Sequence, residues 1–290
     1  MKRIELKITL LLITTFIFSL VSKAQEFKPN NEIGILLGTS YYLGDLNTVH
    51  FNQPSATAGF IIRRNIDRRF TYKAALMYLN VKSDERNSGD SISENRGLHF
   101  RSPIYELSGQ LEFNFLPYQP GNPLYTFTPF VYTGISLFNF NPQAENKNGE
   151  WVNLQELGTE GQGTQDYPQR DKYSLIQFSI PLGGGFKIAV SESFNIILEY
   201  GIRKTFTDYL DDVSTTFVGG RNTQYPLEME GTLAQEMSNP NQNIDPVYGN
   251  RLERGDQRGN PNNKKDWYSF AGITLSFTLN NDTKGCNPSQ

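Results

Sequence analysis

Ser174-Leu-Ile-Gln-Phe-Ser-Ile-Pro-Leu-Gly-Gly-Gly-Phe-Lys-Ile-Ala-Val190 repeats with a period of two. Ile176, Phe178, Ile180, Leu182, Phe186, Ile188 and Val190 fall on one face, interrupted only by Gly184. Gln177, Ser179, Gly183, Gly185 and Lys187 fall on the other. Side chains alternate between the two faces of a strand, and an ordinary strand runs only about 5–6 residues. A longer ribbon, apolar on one face across about 25 Å and tolerant of lysine on the other, suits a closed barrel in an outer membrane.

Outward from this stretch, the pattern predicts eight strands. They are Glu32–Tyr42, Ser55–Arg64, Phe70–Val81, Gly97–Phe115, Thr126–Asn141, Tyr173–Val190, Phe194–Phe206 and Trp267–Leu279. The fourth is the clearest of the others. Tyr105, Leu107, Leu111, Phe113 and Phe115 share one face, and Glu106, Ser108, Gln110, Glu112 and Asn114 share the other. The fifth is aromatic on both faces, so alternation leaves its orientation open. Short connections (Asn65–Arg69, Leu116–Tyr125, Ser191–Ser193) alternate with long ones (Leu43–Pro54, Lys82–Arg96, Pro142–Lys172, Thr207–Asp266). The expected fold is therefore all-β: an eight-stranded antiparallel up-and-down transmembrane β-barrel with its long loops at one end. Pro103, Pro129 and Pro181 lie inside the proposed strands. Each should mark a bulge or a strand end, because a closed barrel has no free edge for a missing donor. Gly183–Gly185 offers a local bend of the same kind.

The ends and the composition fit export. Lys2, Arg3 and Lys7 precede an apolar run, Ile8–Val21, and Ser22-Lys23-Ala24 offers a small-x-small cleavage site. Residues 1–24 are expected to be a signal peptide, too short in their apolar run to span a bilayer, and residues 25–290 the barrel domain, with long loops 142–172 and 207–266. No cysteine lies immediately after the cleavage site, where Gln25 stands, which disfavours a lipoprotein. The chain has 290 residues, 37% of them hydrophobic, and a mean hydropathy of −0.49. A helical membrane protein does not look like this, whereas a barrel whose interior is polar does. Removing 1–24 takes away Lys2, Arg3, Lys7, Lys23 and Glu5, leaving 23 basic and 29 acidic residues. That excess of negative charge argues against nucleic-acid binding.

Inward-facing charges are the first candidates for chemistry. Glu106, Glu112 and Glu199 should share the interior with Lys73, Lys187 and Arg203. Eight strands leave room only for side chains, so the expected result is a core plugged by ion pairs, in preference to a conducting pore or proton path. His50 and His99 lie at the long-loop end without a Gly-x-Ser-x-Gly elbow or a His-Glu-x-x-His motif, so catalysis is not expected. The run Thr207-Asp208-Tyr209-Leu210-Asp211-Asp212 lacks the spacing of a calcium loop and is expected to order its own loop. Neither a metal nor a cofactor is implied. Tyr41, Tyr72, Tyr78, Tyr105, Phe113, Phe115, Tyr173, Phe194 and Trp267 are expected to form aromatic girdles at the two membrane interfaces.

Five phrases carry a resemblance to a known family. They are Tyr42–Asn47, Asn95–Ser102, Gly158–Gly163, Arg203–Ser214 and Asp266–Tyr268, of which Thr207-Asp208-Tyr209-Leu210-Asp211-Asp212 is the most specific. Together they resemble the PorG-like outer-membrane proteins of type IX secretion systems, from about Glu32 to Phe277. The resemblance implies a non-enzymatic barrel that anchors or scaffolds periplasmic ring components, a lipoprotein (PorK-like) and its partner (PorN-like). It also implies support of cargo secretion and, in motile relatives, of gliding. Surrounded by outer-membrane lipids, such a barrel would meet partners through Arg203, Thr207, Asp208, Tyr209, Asp211 and Asp212. The single cysteine, Cys286, is expected in the periplasm, either bonded to a ring subunit or as a free thiol. The alternatives are a stand-alone surface barrel for adhesion or envelope integrity and, further off, a lipid-modifying barrel enzyme. A secreted cargo protein is disfavoured, because such clients usually carry a separate C-terminal sorting domain.

Overall fold

In a computed structural model of the chain, residues 27, 29–86, 88–241, 251–259 and 265–279 are described. The signal-peptide segment 1–24 and Cys286 lie outside these residues. Eight long strands carry the fold: β1 (Asn30–Leu43), β2 (Ser55–Asn65), β3 (Phe70–Asp84), β4 (His99–Asn114), β5 (Phe127–Phe140), β8 (Ile176–Ala189), β9 (Phe194–Thr205) and β10 (Trp267–Leu279). Two short strands, β6 (Gln143–Glu145) and β7 (Trp151–Asn153), form a hairpin between β5 and β8.

Each long strand pairs antiparallel with the next, and β1 pairs with β10, closing an eight-stranded barrel. Closure leaves no long strand with an open edge, which is what a span through hydrocarbon requires. All four long connections emerge at one end and the three short turns at the other, as the alternation predicts. No helix among the described residues is long and apolar enough to cross a membrane.

The proline expectation holds in part. Pro103 and Pro129 sit just beyond the two ends of the β4–β5 ladder, which runs from Ile104↔Phe140 to Asn114↔Phe130. Pro181 falls where the β5–β8 ladder is interrupted, between Thr133↔Leu182 and Ser136↔Ser179. There is no bulge at any of them. Paired residue numbers advance and retreat one for one along every ladder. The missing donors are absorbed by stopping or skipping hydrogen bonds, without a slip in register.

The exterior carries an apolar belt. Ile35, Leu37, Phe60, Leu76, Leu107, Val131, Ile135, Phe178, Leu182, Ile273 and Leu275 are all exposed. On β5 the orientation is now settled. Phe130, Tyr132, Phe138 and Phe140 point inward and are buried, while Phe127, Val131, Ile135 and Leu137 point outward. Apolar side chains held in the open at this density are stable only in a lipid medium. Of the expected girdles, Tyr72 and Phe115 are exposed near the short-turn ends of β3 and β4, and Tyr78 and Tyr105 are exposed mid-strand. Tyr41 and Tyr173 are not part of a girdle. The β1–β2 loop folds back over Tyr41, whose hydroxyl bonds His50 (3.0 Å) and Tyr200 (2.6 Å) and whose ring packs on Phe51. Tyr173 instead packs under the long loops.

Ile135 lies mid-strand and is 72% exposed. In the barrel refolded into vesicles, Ile135→Arg should cost about 2–4 kcal/mol in urea unfolding, while Lys204→Ala, near the loop-end rim, should cost little.

Candidate functional site: the sealed lumen and its cap

Strand alternation turns one face of every ribbon into the barrel interior. Eight of the charged side chains on those faces are buried: Arg63, Lys73, Lys187 and Arg203 against Glu32, Glu106, Glu112 and Glu199, four of each sign. Neutrality is what a sealed interior demands, since an unpaired buried charge is far costlier than a paired one.

The charges sit in two layers. Nearer the short turns, Glu112 accepts from Arg63 Nε (3.1 Å), lies 2.6 Å from Lys187 Nζ, and has Lys73 Nζ at 4.0 Å. Glu199 completes the layer, taking Arg63 Nη2 at 3.2 Å and the Lys73 ammonium. Glu32 joins through the Asn65 amide (2.6 Å) and the Ser276 hydroxyl (2.9 Å). Nearer the long loops, the Arg203 fork grips both oxygens of Glu106 (2.9 and 3.0 Å), and the Tyr268 hydroxyl donates to the same carboxylate at 2.8 Å. The six lumen residues chosen from the pattern all lie in these layers. Arg63, Glu32, Tyr132 and Tyr268 complete them. Period-two parity could have added Glu32, which shares its phase with Gly34, but the hydroxyl partners have no charge signal in the sequence.

Tyr132 joins the layers. Its ring lies 4.6 Å from Lys73 Nζ and its hydroxyl accepts from Arg203 at 3.3 Å. The space for it comes from Gly183 and Gly201, which face each other across β8–β9. A Cβ on either would come within 2.4 Å or 2.1 Å of the Tyr132 hydroxyl. Above this, Leu36, Met77, Leu79, Val81, Ile104, Phe138, Phe140 and Phe270 fill the loop-end half of the bore. The lumen is thus a packed core.

The loops close over it. Tyr42 places its hydroxyl 2.6 Å from Asp211 and 2.8 Å from Asp266, and accepts from the Asp45 backbone N–H at 2.8 Å. One hydroxyl proton cannot serve two carboxylates at once. Burial, followed by the neighbouring Asp266 and Asp45 carboxylates, accordingly pushes Asp211 well above the usual range, and burial does the same to Asp266. Asp212 accepts from Thr159 and from the Tyr173 hydroxyl (2.6 Å). Burial lifts it to about 6 against the opposing pull of Arg258 and these donors. Arg258 also donates to Glu160 (3.1 Å) and the Asp212 carbonyl (2.6 Å), while Glu160 accepts from the Ser214 and Thr215 backbone. Arg96 ties the β3–β4 loop in through the Arg258 carbonyl (2.7 Å) and is itself held by Glu85 of the same loop.

This geometry corrects one expectation. Thr207, Asp208, Asp211 and Asp212 are buried and Tyr209 half-buried, stacked on Tyr173 at 4.6 Å. Arg203 is wholly inside the lumen. Asp208 accepts from the Ser214 hydroxyl, Asp211 from Tyr42 and the Val213 backbone N–H, and Asp212 from Thr159 and Tyr173, so these carboxylates are turned into the cap and away from a partner. All five phrases that carry the resemblance contribute to this one cap or to the lumen beneath it. His50 bonds Tyr41, and His99 accepts the Glu145 backbone N–H (3.0 Å) beside Trp151, so the two histidines serve separate sites. Among the described residues no group of His, Cys, Asp and Glu is arranged to hold a metal.

A family model described as a domain of unknown function, DUF6089, matches residues 9–217, well over half of the chain. The chain belongs to the DUF6089 family. The match takes in β1 to β9 and enters the last loop, so the DUF6089 segment contains all eight charged residues of the two layers, while Tyr268 and Ser276 on the closing strand β10 lie beyond it. No curated protein matches the sequence. Among solved structures, the chain is similar to Ail, the attachment invasion locus protein of Yersinia pestis, at 7% identity and TM-score 0.41, covering 87% of this chain and 100% of that one. It is similar to Neisserial surface protein A at 6% and 0.41, with 87% and 100% covered. The outer membrane protein OprG from Pseudomonas aeruginosa is similar at 8% and 0.35, with 86% and 95% covered. The fold of this DUF6089 barrel is fixed by its own strand pairing, independently of these distant likenesses.

Glu112→Gln would leave the buried Lys187 without its carboxylate and remove one of the two carboxylates that Arg63 and Lys73 share. It should destabilise the barrel by about 3–5 kcal/mol in urea unfolding, and adding Lys187→Met should recover part of the loss. The Asp212 carboxyl binds its proton more tightly in the folded cap than in an unfolded loop, whose value is near 3.8. Its contribution therefore favours the closed cap at low pH and is lost as pH rises from about 4 through about 6, on the order of 3 kcal/mol in all. Proteolysis of the 207–241 loop should be faster at pH 7.5 than at pH 5, and Asp212→Asn should flatten that difference.

Proposed function

We propose that this DUF6089 barrel is a non-enzymatic outer-membrane subunit of the type IX secretion machinery. In this reading it anchors the periplasmic ring lipoprotein and its partner and so supports cargo export, and gliding in motile relatives. The observation that carries the reading is the sealed, charge-neutral lumen. A bore filled by two ion-pair layers and an aromatic plug leaves no path for solute, so the molecule acts as a rigid body in lipid. The second support is that the phrases resembling PorG-like proteins are spent on holding that body together. Partners reaching from the periplasm would meet the short turns and the tail that carries Cys286. The long-loop cap would face outward.

The tagged full-length protein, extracted from native outer membranes in mild detergent, should bring down the ring lipoprotein and its partner. Their absence under conditions that preserve the barrel would overturn the reading in favour of a stand-alone surface barrel. Replacing Gly219–Arg254 by a short linker should leave heat-modifiable migration intact and impair cargo secretion. If Cys286 bonds a ring subunit, Cys286→Ser should abolish a reductant-sensitive shift seen on gels run without reductant.

A further inference from the structure

The wall of the barrel continues above the membrane belt on one side. β6 pairs with β4 at Arg101↔Gln143, in the same register as β4–β5, so it extends β5 past Asn141–Pro142. The β6–β7 hairpin then flanks the outward face of the β3–β4 ends. A cleft of about 380 Å³ results, with Gln53 and Ser55 on one side, Glu145 and Trp151 on the other, and Lys82 and Arg101 on its floor.

Lys82 and Arg101 are directly opposed across the β3–β4 ladder. Like charges in that position repel, and the nearby carboxylates do not relieve them. Asp84 is taken by Arg86 in a bidentate contact (2.7 and 2.9 Å), and Glu145 faces Arg86 at 3.5 Å. Lys82 makes no ion pair among the described residues, and Arg101 bonds only the Gln143 side chain (3.0 Å) while its guanidinium lies 3.9 Å over the Trp151 ring. Trp151 keeps 38% of its surface open.

Height above the belt decides what comes here. The exposed ring pair Tyr78–Tyr105, 5.3 Å apart, lies four residues below Lys82 on the same outward face. At about 3.3 Å per residue and the usual strand tilt, the two cations stand about 10 Å above that ring pair. That is the level of lipid headgroups.

We propose that this cleft binds the phosphate of an outer-leaflet glycolipid headgroup, with Lys82 and Arg101 on the phosphate and Trp151 against the sugar. The inference rests on the outer-membrane reading above. Full-length protein in zwitterionic micelles, carrying Trp267→Phe so that Trp151 is the reporter, is titrated with bisphosphorylated lipid A, with its dephosphorylated counterpart and with inorganic phosphate. Saturable quenching by the phosphorylated lipid alone is expected, weakened about tenfold by Lys82→Gln and again by Arg101→Gln. Lys82 supports no other described contact, so its variant tests the site even if Arg101→Gln loosens the hairpin. Equal binding of the dephosphorylated lipid, or unchanged binding by the double variant, overturns the proposal. Inorganic phosphate competing at equal affinity overturns the lipid as its source. Heat-modifiable migration is followed in parallel. A wild-type chain that forms no barrel would sink the membrane reading instead, which separates the two failures.

Discussion

A bilayer core offers peptide groups no hydrogen-bonding partner, and the rest of this structure follows from that constraint. Eight strands close on themselves so that each long ribbon has a neighbour on both sides. A ring that small has a bore only one layer of side chains wide. Whatever polar character the inward faces carry must then be settled among themselves, out of reach of water. The four-to-four balance of Arg63, Lys73, Lys187 and Arg203 with Glu32, Glu106, Glu112 and Glu199 is the result. Pairing does not make the interior more stable than an apolar one of the same shape. It makes it intolerant of losing any single member.

The same logic continues into the loops. The loop-end half of the bore is apolar and aromatic, so it needs a lid that is dry underneath. Tyr42, Asp211, Asp266, Asp212, Thr159 and Arg258 provide one by exchanging bonds across four separate chain segments. Clustering carboxylates at this depth works only because several hold their protons more tightly than usual. A lid of this chemistry is tighter in acid than in neutral solution, the reverse of the usual effect of paired surface carboxylates.

Most of the barrel was legible in the sequence because one physical period governs it. Alternation gave the eight strands nearly to their ends, the inward set of Lys73, Glu106, Glu112, Lys187, Glu199 and Arg203, and the segregation of long and short connections. It failed where both phases are apolar. β5 carries Phe and Tyr on both faces, and only packing against Gly183 and Gly201 shows that Tyr132 belongs inside. It also failed in the loops, where no period exists. Asp208, Asp211 and Asp212 look like surface groups in a polar loop, and only the return of residues 158–163 and Arg258 buries them. Of the bulge or strand end expected at each proline, no bulge forms, because ladder ends and two skipped pairs absorb a missing donor without a shift. The β6–β7 hairpin lies inside the connection Pro142–Lys172, and its strands, three residues each, are too short for alternation to register.

The unshifted ladders have a mechanical consequence. Sliding one strand along its neighbour means breaking a whole row of backbone hydrogen bonds in the same instant, since these ladders hold no looped-out residue where slippage could begin one step at a time. Buried charges locked crosswise add resistance to shear between non-adjacent staves. A tug applied at the short-turn rim of such a cylinder would arrive at the opposite rim nearly undamped, as through a strut.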